Sequence, residues 1–186
     1  MKLHGLLTTL VNLEKSHIPK CWNWINDAKV IRHMSGPFVT TYRGELKWFR
    51  EMQNNKNNRV FAILDKETGT HIGNLGLEDI SRYHKKATYG LIIGEKKYWN
   101  KGYGTDATRI ALRYAFKRLK LNKVSLTVFP ENKGGIKVYQ RAGFKKVGRL
   151  KKDVKVRGKF QDTIFMEVMA EDFLTNKSWR PQISTL

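Results

Sequence analysis

Cysteine is almost absent from this chain, and long apolar runs are missing. A single cysteine, Cys21, excludes an internal disulfide and any zinc site built on paired cysteines. The longest apolar runs, such as residues 90–94, are too short to cross a membrane. Polar residues interrupt the N-terminus, which has no small-residue cleavage site. We therefore interpret it as a first strand or turn rather than a signal peptide, and expect a cytoplasmic protein.

Acidic residues are also few. The sequence holds 16 of them against 36 lysines and arginines, a formal net charge of +20. The imbalance is concentrated: residues 96–159 contain 20 basic and 3 acidic residues, a net charge of +17. Such a concentration favours an anionic ligand or partner.

The composition that is present is globular. Apolar residues make up 40% of the 186 positions, enough for one domain with a proper core. There is no internal repeat, low-complexity block or linker, so we predict a single domain over residues 1–186.

Apolar periodicity predicts an α/β protein whose sheet mixes strand directions. After the N-terminal strand or turn, the first third is predicted to be mostly helical. A hairpin follows it, and the remainder alternates strands with helices. The predicted strands are 60–64, 71–77, 87–94, 124–129, 144–147 and two runs around residues 156–160; the predicted helices cover 22–34, 41–52, 105–120 and a short segment between Asn132 and Gly143.

The segment "YWNKGYGTDATRIALRYAF" (98–116) places two glycines directly before a helix. Free N–H groups at a helix N-terminus attract anions, and glycines let a phosphate approach the backbone. The Walker phosphate-loop pattern is absent. A dinucleotide pattern, G-x-G-x-x-A at Gly102, Gly104 and Ala107 with Glu131 after the next strand, keeps a nicotinamide-dependent oxidoreductase open as an alternative.

Taken together, 98–116, "VFPENKGGIKVYQRAGFKKVG" (128–148) and "RGKFQDTIFMEVM" (157–169) resemble the GNAT superfamily of acetyl-CoA-dependent N-acetyltransferases. The branch with ribosomal-protein alanine acetyltransferases and bacterial spermidine acetyltransferases is the most similar. The resemblance implies the GNAT fold, a mixed and mostly antiparallel central sheet with helices on both faces. It also implies acetyl-CoA as cosubstrate, no metal, and direct attack by a primary amine.

The resemblance also assigns cofactor-binding residues. The pyrophosphate loop and the helix start after it fall on Trp99, Asn100, Lys101, Gly102, Tyr103, Gly104 and Thr105. The strand whose backbone pairs with the pantetheine arm falls on Leu91, Ile92 and Ile93, and a further motif falls on Asn132 and Tyr139.

The resemblance makes Tyr139 the candidate acid for the departing thiolate, because a phenol of pKa about 10 can protonate a thiolate of pKa about 8.5. Many relatives carry a glutamate as base at the position of Thr88, which cannot do that work. Glu78 is the candidate that replaces it; Asp79 and a water relayed to a backbone carbonyl are the alternatives that stay open. His71 and His84 lie in the same region of the sequence.

The acceptor is predicted from charge. A +20 chain favours an amine on an anionic assembly: a protein N-terminus of the ribosomal-protein type, or an amino sugar nucleotide. The alternative is spermidine, admitted by a local acidic pocket built from residues such as Glu78, Asp79 and Asp162. A non-catalytic nucleic-acid-binding module is a rival from another class, and either a monomer or a homodimer is compatible with the sequence.

Overall fold

The structure is a computed structural model that describes residues 1–36 and 41–176. Residues 37–40 and 177–186, which the predicted domain also includes, lie outside the described residues. The strands are β1 Lys2–His4, β2 Thr8–Asn12, β3 Arg59–Asp65, β4 His71–Ser81, β5 Lys86–Ile93, β6 Lys123–Val128, β7 Lys145–Val156 and β8 Lys159–Met169. The helices are α1 Ile18–Ile25, α2 Ala28–Ile31, α3 Tyr42–Asn54, α4 Tyr103–Arg113, α5 Lys133–Ala142 and α6 Ala170–Thr175.

All eight strands form one sheet in the order β1-β2-β3-β4-β5-β6-β8-β7. Every neighbouring pair is antiparallel except β5 and β6, which are parallel. The prediction of a mixed, mostly antiparallel sheet is confirmed. The N-terminus, predicted as a strand or turn, supplies two strands at one edge.

Helices cover both faces of this sheet, as predicted. On one face α4 packs against β5, where the Tyr89 hydroxyl and Thr108 Oγ1 are 2.9 Å apart. On the other face α1 contacts β4, where the Asn74 amide donates to Cys21 Sγ at 3.1 Å. The larger apolar core lies on the α4 side, and a smaller one lies beneath α1 and α3.

Helix α4 begins and ends earlier than its sequence pattern predicts. Gly102 has φ +92°, a conformation that suits glycine, and the helix begins at the next residue. The α-helix ends at Arg113 and continues as a π-helical turn over residues 114–118. The face of this helix that packs on the sheet is buried and includes Ala107, Ile110 and Ala111.

The closing strands form one long hairpin, which the sequence predicted only as separate runs. β7 and β8 are joined at Arg157 and Gly158, both with positive φ (+48° and +81°). Two successive residues of this kind form the tight turn whose twist matches a β-hairpin. β7 is the edge strand at this end of the sheet, and β1 is the edge strand at the other end.

Candidate active site

The centre of the sheet opens between β5 and β6. These parallel strands pair only where residues 86–88 lie beside residues 123–125. Beyond that point β5 continues to Ile93 and β6 to Val128 without pairing to each other. The last part of β5 therefore has an edge that is free of β6 and can present backbone N–H and C=O groups to a ligand.

Hydrogen bonds identify which residues of β5 face this open edge. The Gly94 N–H donates to a β4 carbonyl at 2.9 Å. The Ile93 carbonyl instead accepts from the Trp99 indole at 2.7 Å. Ile93 therefore turns its own backbone groups away from β4. Because these groups alternate along an antiparallel pair, Leu91 does the same and Ile92 faces β4. Of the three residues predicted to pair with the pantetheine arm, Leu91 and Ile93 have that orientation and Ile92 does not.

The predicted phosphate loop follows this strand after one short 3₁₀ turn, Lys96–Tyr98. Asn100 and Gly102 both have positive φ, +60° and +92°, which turns the chain sharply into α4. No side chain caps the helix at Gly102. The N–H groups of the first turn, at Tyr103, Gly104 and Thr105, have no partner within the helix and are available to an anion. Lys101 is exposed beside them. The loop geometry fits a pyrophosphate.

Gly104 lies where the loop meets the open edge. It is buried, and a Cβ added to it would lie 3.4 Å from Leu91 Cδ2 and 3.5 Å from both methyl groups of Val138. The missing Cβ thus leaves room for about one methyl group between β5, the start of α4 and α5. A space of this kind beside free helix N–H groups fits the close approach of a phosphate to the backbone.

Asp106, the acidic residue of the first turn of α4, is engaged by the loop between β1 and β2. Its carboxylate accepts from the N–H groups of Leu6, Leu7 and Thr8 at 2.9–3.0 Å, and from the Thr8 hydroxyl at 2.7 Å. Four donors satisfy the carboxylate and fix the start of the helix. Sequence reasoning missed this contact, because nothing local links residues about a hundred positions apart.

A second contact missed by the sequence fixes α4 against the sheet. The Thr108 hydroxyl donates to the Gly104 carbonyl at 2.6 Å and is also hydrogen-bonded to the buried Tyr89 hydroxyl. The chain of contacts runs from β5 to the first turn of α4. It holds the candidate phosphate site in register with the open edge.

Asn132 caps α5, as predicted. Its side chain accepts from the Gly135 N–H at 2.9 Å, and the helix ends at Gly143, whose φ is +108°. A Cβ at Gly135 would lie 2.7 Å from the Asn132 amide nitrogen, so the glycine makes room for this cap. Because the Asn132 oxygen is used within the helix, any role toward a ligand falls to its amide group.

Tyr139 projects from α5 into the core beside β5. Its ring centroid is 6.1 Å from that of Tyr89 and 5.9 Å from that of Phe144, with edge-to-face geometry in both pairs. Burial raises the pKa of Tyr139 to about 12. The hydroxyl is therefore protonated at neutral pH, as an acid must be, although the higher pKa makes it a weaker acid than the sequence alone suggested.

Glu78 lies on the face of the sheet opposite to Tyr139. In the strand pairing, its neighbour on β5 is Thr88. Its side chain folds back over Gly76, where a Cβ would lie 2.9 Å from Glu78 Oε1. Gly76 is paired with Gly90, so two glycines form a floor without side chains next to the carboxylate. The residue is exposed by surface area, yet surrounding protein atoms raise the pKa of its carboxyl group, and Asp79 adds to that shift.

The other candidate bases are placed differently. His71 is at the far end of β4, between the rings of His17 and Trp24, and burial lowers its pKa to about 4. Its Nε2 is 2.8 Å from Asn74 Oδ1. His84 is exposed in the turn between β4 and β5. The structure therefore does not bring either histidine to Glu78.

The described residues meet neither the requirement of a metal site for several ligating side chains nor that of a membrane-spanning helix for length and apolarity. Among the described residues, no three His, Cys, Asp or Glu side chains are arranged to hold a metal ion. In residues 1–36 and 41–176, no helix is long and apolar enough to cross a membrane.

The dinucleotide alternative from the sequence is wrong for this fold. That motif requires a tight turn from a strand into a helix within a mainly parallel sheet. Here β5 ends at Ile93, α4 begins only at Tyr103, and the sheet has one parallel pair among its described strands.

Comparison with known proteins agrees with this geometry. A family model described as "Acetyltransferase (GNAT) domain" matches residues 8–145. Among curated proteins, an "Uncharacterized N-acetyltransferase p20" of Bacillus licheniformis is 28% identical, covering 82% of this chain and 86% of its own length. A spermidine N(1)-acetyltransferase of Escherichia coli K12 is 31% identical over 57% of this chain and 56% of its own.

A solved structure is similar over most of the chain. The crystal structure of spermidine N-acetyltransferase from Vibrio cholerae, in complex with CoA and spermine, has a TM-score of 0.83, covering 91% of this chain and 99% of its own at 24% identity. At that identity the likeness shows the fold. Because the family model spans most of the chain and the fold agrees, the chain belongs to the GNAT family of acetyl-CoA-dependent N-acetyltransferases.

Proposed function

We propose that this acetyltransferase acts on aliphatic polyamines of the spermidine type. The observation that carries the proposal is the Glu78–Asp79 pair on the open face of the sheet. The pKa of Glu78 is raised by burial and by Asp79. Within the described residues, Glu78 forms no ion pair. A site with an unmatched carboxylate favours a cationic acceptor.

This proposal replaces the acceptor expected from net charge. Protein N-termini and amino sugar nucleotides were inferred from the total of +20, but an acceptor meets the charge of the site and not the charge of the whole surface. Similarity to the spermidine acetyltransferases of E. coli and Vibrio cholerae supports the polyamine reading. Asp162 is not part of the acidic site, since it pairs with Arg149 in the β7–β8 hairpin.

The open edge of β5 and the start of α4 are the parts of the chain that fit acetyl-CoA. We assign the pyrophosphate to the N–H groups of the first turn of α4, and the pantetheine arm to the backbone of Leu91 and Ile93. The thioester then lies at the opening between β5 and β6. An amine held on the glycine floor beside Glu78 can approach it through this opening.

Each step of direct transfer then has a candidate group. Glu78 takes a proton from the ammonium group, which frees the lone pair for attack. A backbone N–H at the open edge donates to the oxygen that gains negative charge in the transition state. Tyr139 donates its proton to the departing thiolate.

The test is an acceptor panel with acetyl-CoA, read as thiol release, using spermidine, spermine, N-terminal peptides of ribosomal proteins and amino sugar nucleotides. The expected result is that spermidine or spermine has a kcat/KM at least tenfold above every other acceptor. If a peptide or an amino sugar nucleotide leads by that margin, the polyamine proposal is wrong, while acetyltransferase activity itself stands.

A further inference from the structure

The β7–β8 hairpin extends well beyond the rest of the sheet. Its last contact with β6 pairs Ile164 with Val128, and residues 159–163 of β8 continue past that point with their β7 partners. Five strand residues span about 17 Å. We call residues 151–160 the hairpin tip. It overhangs the end of the sheet at which β5 and β6 separate.

The hairpin tip is strongly basic. It contains five basic residues and one acidic residue, Asp153. Asp153 accepts from the Thr163 hydroxyl at 2.6 Å, and nearby Asp162 is bound by Arg149. None of the tip's cations forms an ion pair in the part of the chain that the structure describes; they are Lys151, Lys152, Lys155, Arg157 and Lys159.

Backbone irregularities distribute these cations around the tip. Between Leu150 and Val154, three residues of β7 oppose the single Asp162 of β8, and Lys152 in that bulge has φ +50°. At the other end, the tight turn places Arg157 at the outermost point. Lysine and arginine therefore lie along the whole length of the tip. Such a spread of positive charge can neutralise the successive phosphates of a nucleic acid strand.

An exposed aromatic ring lies among the charges. Phe160 is 61% exposed. It pairs across the hairpin with Lys155, whose Nζ is 5.8 Å from the ring centroid. An exposed ring with a lysine beside it, on a hairpin rich in basic residues, is a combination with which proteins stack bases while binding the backbone of a single strand.

We propose that the hairpin tip binds single-stranded nucleic acid. A second copy of this chain is the weaker occupant, because edge pairing at β7 would bring two lysine-rich strands together. Acetyl-CoA does not need this surface, since its candidate site lies at α4 and β5. This assignment is independent of the acceptor amine.

The test is fluorescence anisotropy of a labelled 20-nucleotide unstructured RNA, with the matched DNA as a second probe, over a series of salt concentrations. Saturating CoA is included so that the phosphate loop is occupied. The triple variant Lys151→Gln/Lys155→Gln/Lys159→Gln removes three charges from the tip. The control Lys56→Gln/Lys86→Gln/Lys117→Gln removes three exposed charges far from the tip, and a third variant is Phe160→Ala.

We expect the tip triple variant to weaken RNA binding at least about tenfold. Each phosphate contact contributes about 0.7 to the slope of log K against log salt, so the loss of three contacts should reduce the magnitude of that slope by about 2. The control should change affinity less than about twofold. Phe160→Ala should weaken binding at least about fivefold without changing the slope. Similar affinity for RNA and DNA supports the proposal, since phosphate contacts and base stacking are available in both.

Four results overturn it. Equal losses in both triples would mean that net charge alone binds the RNA. RNA binding that is present without CoA and is lost when CoA is saturating would place binding at the phosphate loop. Polyglutamate serves as a polyanion without bases. If it binds as tightly as RNA, or if Phe160→Ala leaves the RNA affinity unchanged, the tip binds polyanions by charge alone.

Discussion

Replacing Gly104 with alanine adds one methyl group where the open edge of β5 meets the start of α4. The new Cβ would lie 3.4 Å from Leu91 and 3.5 Å from Val138, which are ordinary contact distances. Gly104 is within the helix, where alanine is better suited than glycine. The free energy of unfolding without ligand should therefore rise by about 0.5–1 kcal/mol.

Ligand affinity should change in the opposite direction. The methyl group occupies the space that lets a phosphate approach the helix N–H groups. Losing one charge-assisted hydrogen bond costs about 1.5–3 kcal/mol, which weakens binding about 10- to 150-fold. A protein that becomes more stable and binds worse cannot be explained by misfolding.

The assay is calorimetric titration with acetyl-CoA beside urea unfolding of the same preparations. Gly134→Ala is the matched control: Gly134 is also the second residue of its helix, and the atom nearest to an added Cβ is 4.0 Å away. The control should gain similar stability and keep its affinity. Unchanged acetyl-CoA affinity in folded Gly104→Ala would refute the phosphate-loop assignment.

Three further predictions follow from the site and its surroundings. Tyr139→Phe should lower kcat about 10²-fold with little change in KM for acetyl-CoA, and a variant that keeps half of kcat with chemistry rate-limiting would leave Tyr139 a packing residue. Glu78→Gln should lower kcat/KM for spermidine about 10²-fold but leave acetyl-CoA affinity unchanged; equal activity would exclude Glu78 as base and as cation site. Burial lowers the pKa of His71 to about 4, so below about pH 6.5 the unfolded chain binds a proton that the folded chain does not. In urea unfolding, the free energy of unfolding should therefore fall by about 2 kcal/mol between pH 7 and pH 5 through this group. His71→Gln should remove that share, and an unchanged pH dependence would contradict it.

The sequence predicted those parts of the site that rest on local chemistry. The glycine turn, the helix after it and the α5 segment from Asn132 to Gly143 each have signals within a few residues. Their positions agree with the structure within about two residues at the N-termini, where glycine and asparagine fix the backbone.

Other parts depend on long-range contacts that local patterns do not encode. In the apolar run 91–93, side chains alone do not tell which backbone groups face β4, so Ile92 was grouped with Leu91 and Ile93. The contact of Asp106 with the β1–β2 loop joins distant parts of the chain. The charge argument has a related weakness: the net charge of a chain says little about the charge of one site, and the similarity to spermidine acetyltransferases favours the alternative acceptor.

The most direct test of the account is a conjugate in which the CoA sulfur is joined through a –CH₂–CO– bridge to a terminal nitrogen of spermidine. Such a molecule spans the phosphate loop, the opening between β5 and β6, and the face that carries Glu78. By calorimetric titration it should bind at least about 10²-fold tighter than CoA, and Glu78→Gln should remove most of that gain. A conjugate that binds no tighter than CoA would contradict direct transfer to a polyamine at this site.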